Sequence, residues 1–396
     1  MSIPRVVLKP KRAQPFYGRH PWVFAGAIAA VTGSPADGGE VELHSGTGNF
    51  IARGLFNSQS KIRVRLYSWT PEQALDREFF KSRLETAIRL RHDVLKLNNP
   101  AGACRLVFSE ADGLSGIIVD RYANWLTVQF TSLALAQRRE MFAELLTELL
   151  HPAGIYLRTE RGIGKLEGLE LHDGLLHGAE PAGPFEIKEN GLRMLVNLRE
   201  GQKTGYYLDQ RDNRQAVAKL AAGRRVLDAF CYSGGFALHA AKAGAAEVLG
   251  LDASGTALQL ARDNAKANGL ERVEFVEADV FEELTRLQAL GRQFDLIILD
   301  PPKFARARHA IPEALRGYRR LQTLAIKMLP SDGILVMCCC SGLITFDMLE
   351  ELLAQIAAEE RRDFQILERR GPAADHPVSV YCRESGYLKC LICRVA

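Results

Sequence analysis

The chain has 396 residues, of which 47% are hydrophobic and 25% charged, with a formal net charge of +4. That make-up suits a folded globular protein of about two or three domains and excludes fibrous or disordered classes. No apolar run approaches the roughly 20 residues that span a bilayer. Met1–Gly18 mixes charges and prolines where a secretory leader is apolar, so a cytosolic location is expected and no membrane partner. Eight cysteines in such a chain point to free thiols rather than a disulfide framework.

Residues 1–72 carry the short β patterns WVFAGAI, GEVELHS, GNFIARGLF and KIRVRLYSW, separated by Gly, Ser and Asp clusters. They predict a small barrel or sandwich. Nine lysines and arginines face only three acids in residues 1–71, an electrostatic handle for a polyanion such as RNA. Alternation in IRVRLY turns Ile62, Val64 and Leu66 inward and Arg63 and Arg65 outward, so both arginines are candidate RNA contacts. Residues 73–185 predict a compact α+β module. A helix near 76–97 (Phe80, Leu84, Ile88, Leu95) precedes strands in CRLVFSE, GIIVDRY and WLTVQF. A helix near 134–150 and a strand in GIYLRT follow. No catalytic constellation stands out there, and a spacer or docking platform is the expected role.

From 186 to 396 the pattern becomes regular β/α alternation. Strands are predicted in RRVLDAF, EVLGLD, VEFVEAD, FDLIILD and GILVMCC. Helices near 236–243, 255–268, 280–290, 313–328 and 345–359 come between or after them, and FQILERR and GYLKCLICRV add late strands. The alternation predicts an α/β fold with a doubly wound, Rossmann-like sheet. Ahead of it, EGQKTGYYLDQRDNR (200–214) offers Tyr206 and Tyr207 to pack on a cofactor. Gln210 or Arg211 would suit the carboxylate of that cofactor, and Lys203 and Arg214 would face RNA.

VLDAFCYSGGF (226–236) is a strand ending in an acid, followed by a glycine-rich turn into a helix. Gly234 and Gly235 suit close approach of a ligand to the helix start, and Phe230 is a further candidate contact. This is not the G-x-G-x-x-G of dinucleotide enzymes. Asp228 before the turn suits a cationic methionine end. Asp252, closing the next strand, suits the ribose hydroxyls, and Asp279, after the third, suits the adenine amino group. Three acids ending three consecutive strands point to an adenosyl ligand of the S-adenosylmethionine type.

Asp300-Pro301-Pro302-Lys303 follows the strand LIILD. The prolines stop the strand and fix the acid's direction, and Asp300 and Pro301 are expected beside the transferring methyl. Such turns serve methylation of exocyclic nitrogens as well as of carbon. The run Cys338-Cys339-Cys340 favours carbon. Cytosine C5 is a weak nucleophile until a thiolate adds at C6, and an acid near N3, here Asp300, assists the addition. Cys340, immediately before Ser341-Gly342, is the preferred nucleophile, and Cys338 and Cys339 are expected to fill the core. Cys390 and Cys393 lie three apart in a strand-like run. Their sulfurs would therefore diverge, and no metal site is expected.

With these residues in view, the chain resembles the bacterial large-subunit ribosomal RNA cytosine-C5 methyltransferases that carry an amino-terminal PUA domain. The resemblance covers nearly the whole length. It rests on RHPWVFAGAI (19–28), QKTGYYLDQRDNR (202–214), DAFCYSGGF (228–236), DPPKF (300–304), CSG (340–342) and ADHPV (374–378). It implies a PUA barrel, a small central α+β domain and a carboxyl-terminal Rossmann-like methyltransferase domain. It also implies S-adenosylmethionine as cofactor and 5-methylcytosine formation in 23S ribosomal RNA, with the large subunit or an assembly intermediate as partner; a homodimer stays open. In the wider RNA cytosine-C5 class the nucleophile is the Cys of a Cys-Ser pair after the fifth strand, which Cys340-Ser341 matches. The second cysteine that many members carry after the D-P-P turn is Lys303 here, a candidate RNA contact. His376, in ADHPV, is either near the site or structural. Two other readings stand beside this one: an RNA purine amino-group methyltransferase without a covalent step, and a non-catalytic RNA-binding factor.

Overall fold

The computed structural model describes residues 3–160, 162–201, 203–305 and 307–396. It divides into two compact units. The first comprises Met1–Ile187, Val196–Leu208 and Asp375–Ser385, the second Lys188–Leu195, Asp209–Ala374 and Gly386–Ala396. No helix among the described residues is long and apolar enough to cross a membrane.

The first unit holds two sheets. The six-stranded one runs Trp22–Phe24, Ile62–Ser68, Phe50–Phe56, Glu40–His44, Arg5–Leu8, Ile28–Thr32 in spatial order. It closes on a core that includes Val6, Leu8, Val41, Leu43, Val64 and Leu66. The five-stranded sheet is built from Ala103–Phe108, Ile117–Tyr122, Trp125–Phe130, Gly154–Leu157 and Gly174–Gly178. The helix Arg77–Arg89 starts at Asp76, whose carboxylate accepts from the Phe79 amide, a favoured cap. It buries Phe79, Phe80, Leu84 and Ala87 and passes into a wider turn over Leu90–Val94. The strands Arg5–Leu8 and Gly174–Gly178 and the hairpin Phe185–Glu189/Leu192–Val196 lie outside the patterns read from sequence.

Arg65 departs from expectation. Alternation assigned it to a solvated face, yet it is 8% exposed. Its guanidinium pairs with Glu110 at 3.2 Å and Glu167 at 3.1 Å, and donates to Ser115 and to the Thr131 carbonyl. The face opposite the barrel core is covered within the same unit, so period-two alternation here separates two buried faces. Arg65 is therefore an internal tie and not an RNA contact. Arg63, half-buried, donates to the Asn57 carbonyl. His376 is also internal to this unit: its Nδ1 lies 3.1 Å from Asp375 and its ring 5.4 Å from Phe108.

The second unit contains a seven-stranded sheet. Its strands are β1 (Arg225–Ala229), β2 (Glu247–Asp252), β3 (Glu274–Glu277), β4 (Leu296–Leu299), β5 (Gly333–Cys339), β6 (Phe364–Arg370) and β7 (Lys389–Val395). The spatial order is β3-β2-β1-β4-β5-β7-β6. The first five are parallel, whereas β7 runs antiparallel to both β5 and β6. Helices α1 (Arg211–Ala218), α2 (Gly235–Lys242), α3 (Gly255–Ala267), α4 (Val280–Ala289), α5 (Ile311–Met328) and α6 (Phe346–Glu360) accompany it. The all-apolar strands β4 and β5 are buried throughout, as parallel strands covered on both faces require. Arg214 of α1, expected to face RNA, is buried and paired with Glu189 at 2.8 Å. Cys390 and Cys393 are both buried in β7, opposite Cys338 and Leu335 of β5.

Candidate functional site

In this sheet the strand order reverses between β1 and β4, the position where open α/β sheets leave a crevice at their carboxyl ends. Asp228 to Phe230 emerge there from β1, and Asp300 from β4. The turn after β1 is conformationally demanding. Phe230, Tyr232 and Gly234 take φ of 66°, 50° and 80°, and two of the three are side-chain-bearing residues that rarely adopt such values. The turn is held because the Cys231 amide donates to the Leu251 carbonyl and the Tyr232 amide to Asp252 Oδ2.

The two glycines at the start of α2 have a packing role. A Cβ at Gly235 would stand 2.5 Å from Arg214 Nε, and one at Gly234 would stand 3.0 Å from the Phe275 ring. Both therefore accommodate the protein's own side chains, and Gly234 also supplies the positive φ that caps α2.

Asp228 is fully buried, with Oδ2 accepting from the Ala237 amide in α2 at 2.8 Å. Its Oδ1 has no hydrogen-bond partner among the described residues. Burial pushes its pKa up to about 8, and the carboxylates of Asp300 and Asp252 add to the rise. Asp252 is half-exposed, and Oδ1 accepts from the Ser254 amide. Asp279 is exposed and caps α4, accepting from the Glu282 amide at 3.0 Å; one residue, Ala278, separates it from the end of β3.

Gln210 is buried rather than open to a ligand carboxylate. Its Nε2 donates to Asp300 Oδ2 at 3.0 Å and its Oε1 accepts from Asn213, which makes it the residue that orients Asp300. Arg211 pairs with Asp212. Tyr207 belongs to the first unit, where Lys203 Nζ stands 4.2 Å from its ring centre.

The loop after β5 carries the sulfur chemistry. Cys338 and Cys339 are fully buried in the strand, and Cys340 is the cysteine left partly accessible. Its Sγ lies 4.0 Å from the carbonyl oxygen of Pro301, so the thiol and the D-P-P turn meet at one place. Ser341 Oγ donates to the Ala305 carbonyl at 3.0 Å. Pro301 is buried, and Lys303 projects into solvent.

Two groups escaped the sequence reading. Lys389, at the start of β7, is buried, and its ammonium donates to the Ser341 carbonyl at 2.9 Å and the Tyr387 carbonyl at 3.2 Å. Burial lowers its pKa, opposed by the thiols of Cys339 and Cys340. Its signal was a lysine inside the otherwise apolar run YLKCLIC. The second group is aromatic. Phe281 stands 6.4 Å from Phe230 and 6.3 Å from Phe304, and Phe304 stands 5.0 Å from Tyr318. These rings come from separate loops and helices, so no local pattern announces them.

Comparison with known proteins fits this geometry. Residues 174–382 match the family model of S-adenosylmethionine-dependent methyltransferases, and residues 6–69 match that of PUA-like domains. The chain is 41% identical over 95% of its length, and 95% of the relative's, to ribosomal RNA large subunit methyltransferase I of Aeromonas salmonicida. It is 41% identical over 100% of both chains to the protein of that name from Shewanella amazonensis. Among solved structures, SMU.776 complexed with SAH superposes with a TM-score of 0.86 at 21% identity, covering 99% of this chain and 100% of that one. The sheet order, the crevice at its reversal and these matches agree: the chain belongs to the S-adenosylmethionine-dependent methyltransferases with an amino-terminal PUA-like domain, in the family of ribosomal RNA large subunit methyltransferase I.

Proposed function

We propose that this protein methylates C5 of a specific unpaired cytosine in 23S ribosomal RNA, through a transient bond between Cys340 and C6 of the base. The observation that carries the reading is the accessible Cys340 sulfur, placed against the Pro301 carbonyl while the two cysteines before it are buried. Relatives at 41% identity over the full chain, named for large-subunit ribosomal RNA, supply the substrate class.

The residues available fit the cofactor. Asp228 keeps an unpartnered buried oxygen suited to a cationic amino group. Asp252 offers a half-exposed carboxylate at a strand end, and Phe281 an aromatic face. Asp228, Asp252, Phe230 and Phe281 would hold the cofactor, with Asp279 at the margin. When bound, S-adenosylmethionine supplies an electrophilic methyl group to the activated carbon. The remaining chemistry belongs to the chain. The Cys340 thiolate adds to C6 and moves electron density onto C5. Asp300, oriented by Gln210, hydrogen-bonds the pyrimidine near N3. The Lys389 ammonium, holding the Ser341 carbonyl, puts a positive charge beside the sulfur, an environment that favours a thiolate. After C5 is methylated its proton leaves to a base, the C6–S bond breaks, and the thiolate is restored. The thiol reaches C6 only of a base drawn out of its stack.

The test is RNA carrying 5-fluorocytidine at the target position. Its C5 fluorine cannot leave as a proton does, so a stable protein–RNA adduct is expected with the native enzyme and none with Cys340→Ala. Mass spectrometry of digested natural RNA should show 5-methylcytidine. An N-methylated purine nucleoside, or full activity of Cys340→Ala, would overturn the mechanism.

A further inference from the structure

Two arginines of the first unit lack an acidic partner. Arg83, on the helix Arg77–Arg89, lies 5.1 Å over the Phe79 ring, its nearest acceptor the Tyr67 carbonyl at 3.5 Å. Arg19 lies 5.9 Å over the Tyr381 ring. Neither forms a salt bridge among the described residues. Burial, together with the neighbouring Arg19 charge, pushes the Arg83 pKa below its ordinary value. The two cations are thus held near each other with no acid paired to either among the described residues, an arrangement that costs stability unless an anion arrives.

Both arginines line one cavity of about 600 Å³, within the range of small-ligand sites. Two of the three acids on its wall are already engaged. Glu110 accepts from Trp22, Arg65 and Ser115, and Asp112 pairs with Arg91 and the Phe108 amide. Arg89 and Asp93 line it too and are exposed. Apolar surface forms the rest, notably Leu66 and Trp69 with Val94 and Tyr381, which are 67% and 49% exposed. Two guanidiniums without an acidic partner, beside an accessible ring and an aliphatic wall, match what a single nucleotide offers: a phosphate and a flat, partly apolar base.

We propose that this cavity takes up one unpaired nucleotide of the RNA, its phosphate between Arg19 and Arg83 and its base against Tyr381 and Val94. It would serve as an anchoring contact in addition to the cytosine that reacts at Cys340. The proposal rests on the reading of this protein as an RNA methyltransferase. Single-stranded RNA is the favoured form because an unstacked base can enter a cavity and stack on an aromatic ring, whereas a duplex keeps its bases inside.

The experiment uses the full-length protein and a single-stranded ribosomal RNA fragment that it methylates. Binding is followed by fluorescence anisotropy over a range of salt, and turnover by methyl incorporation. Arg19→Gln with Arg83→Gln should weaken RNA binding by about tenfold or more and reduce the salt slope by roughly 0.7, the value for one lost phosphate contact on a single strand. KM for RNA should rise while kcat at saturation stays put. Tyr381→Ala should lower affinity by about fivefold or more and leave the slope unchanged, because stacking carries no counterion term. Arg83→Lys should keep most of the slope, and Lys61→Gln, an exposed cation outside the cavity, serves as the control. Thermal midpoints of all variants establish that they are folded. Unchanged affinity and slope in the folded double variant, with the parent still methylating RNA, would refute the anchoring site and leave the proposed reaction standing. Absence of RNA methylation by the parent would refute both. Cytidine monophosphate binding that is lost in the double variant, with RNA affinity unchanged, would reassign the cavity to a free nucleotide and overturn the proposal.

Discussion

Asp228 should make the protein less stable as the solution becomes more alkaline, and by a large margin. Its carboxyl is fully buried, and its pKa stands at about 8 in the fold against an ordinary value of 3.8. The folded state therefore keeps a proton that the unfolded chain gives up. Stability from this group is fully present below pH 3.8, declines as the pH rises, and is lost once the pH passes about 8. At about 1.4 kcal/mol per pKa unit the gap caps the loss at about 6 kcal/mol. Asp228→Asn preserves an oxygen to accept from the Ala237 amide but cannot ionise. Urea denaturation of the full chain at several pH values, monitored by circular dichroism, gives the comparison. The variant should match the parent near pH 4, exceed it by several kcal/mol at pH 8, and stay a constant distance above it beyond that. Parallel stability curves for parent and variant between pH 4 and 8 would refute the buried, proton-holding Asp228.

Three further outcomes follow from the site. If Asp228 receives the cationic end of the cofactor, binding S-adenosylmethionine near pH 7 should release about one proton; calorimetry in buffers of differing ionisation enthalpy would measure it, and Asp228→Asn should release none. Replacing Lys389 by Met removes the charge beside the Cys340 loop, so the pH of half-maximal adduct formation with 5-fluorocytidine RNA should move up. An unmoved profile would take Lys389 out of the chemistry. Arg65→Ala strands Glu110 and Glu167 without their shared partner and should cost about 3–5 kcal/mol in denaturation experiments. The salt dependence of RNA binding by the folded fraction should not change; a lowered slope would restore Arg65 as a phosphate contact.

The methyltransferase sheet was legible because its strands are continuous apolar runs and its helices show clean periodicity. GILVMCC is β5 as read, and the predicted helix near 255–268 is α3, Gly255–Ala267. The accessibility of Cys340, unlike that of Cys338 and Cys339, was legible because a strand end followed by Ser-Gly is an exit from the core. Arg65 and Arg214 were misread for a shared reason: sequence shows that a side chain is charged but not that Glu110, Glu167 or Glu189 will meet it from distant positions. Gly234 and Gly235 look the same in sequence whether a ligand or a neighbouring side chain needs the room. Gln210 similarly looked free, because its partner Asp300 is 90 residues away.

The path of the chain has a consequence for biosynthesis. After β6 the polypeptide leaves the methyltransferase sheet, contributes Asp375–Ser385 to the first unit, and returns as β7. Within the first unit, fully buried Arg91 donates to the Asp375 carbonyl, and the Arg105 amide donates to the Asp375 carboxylate. During synthesis the first unit therefore stays incomplete, with those donors unanswered, until the segment that follows β6 has emerged. No single cut can release either unit intact, so the two units complete their folding together.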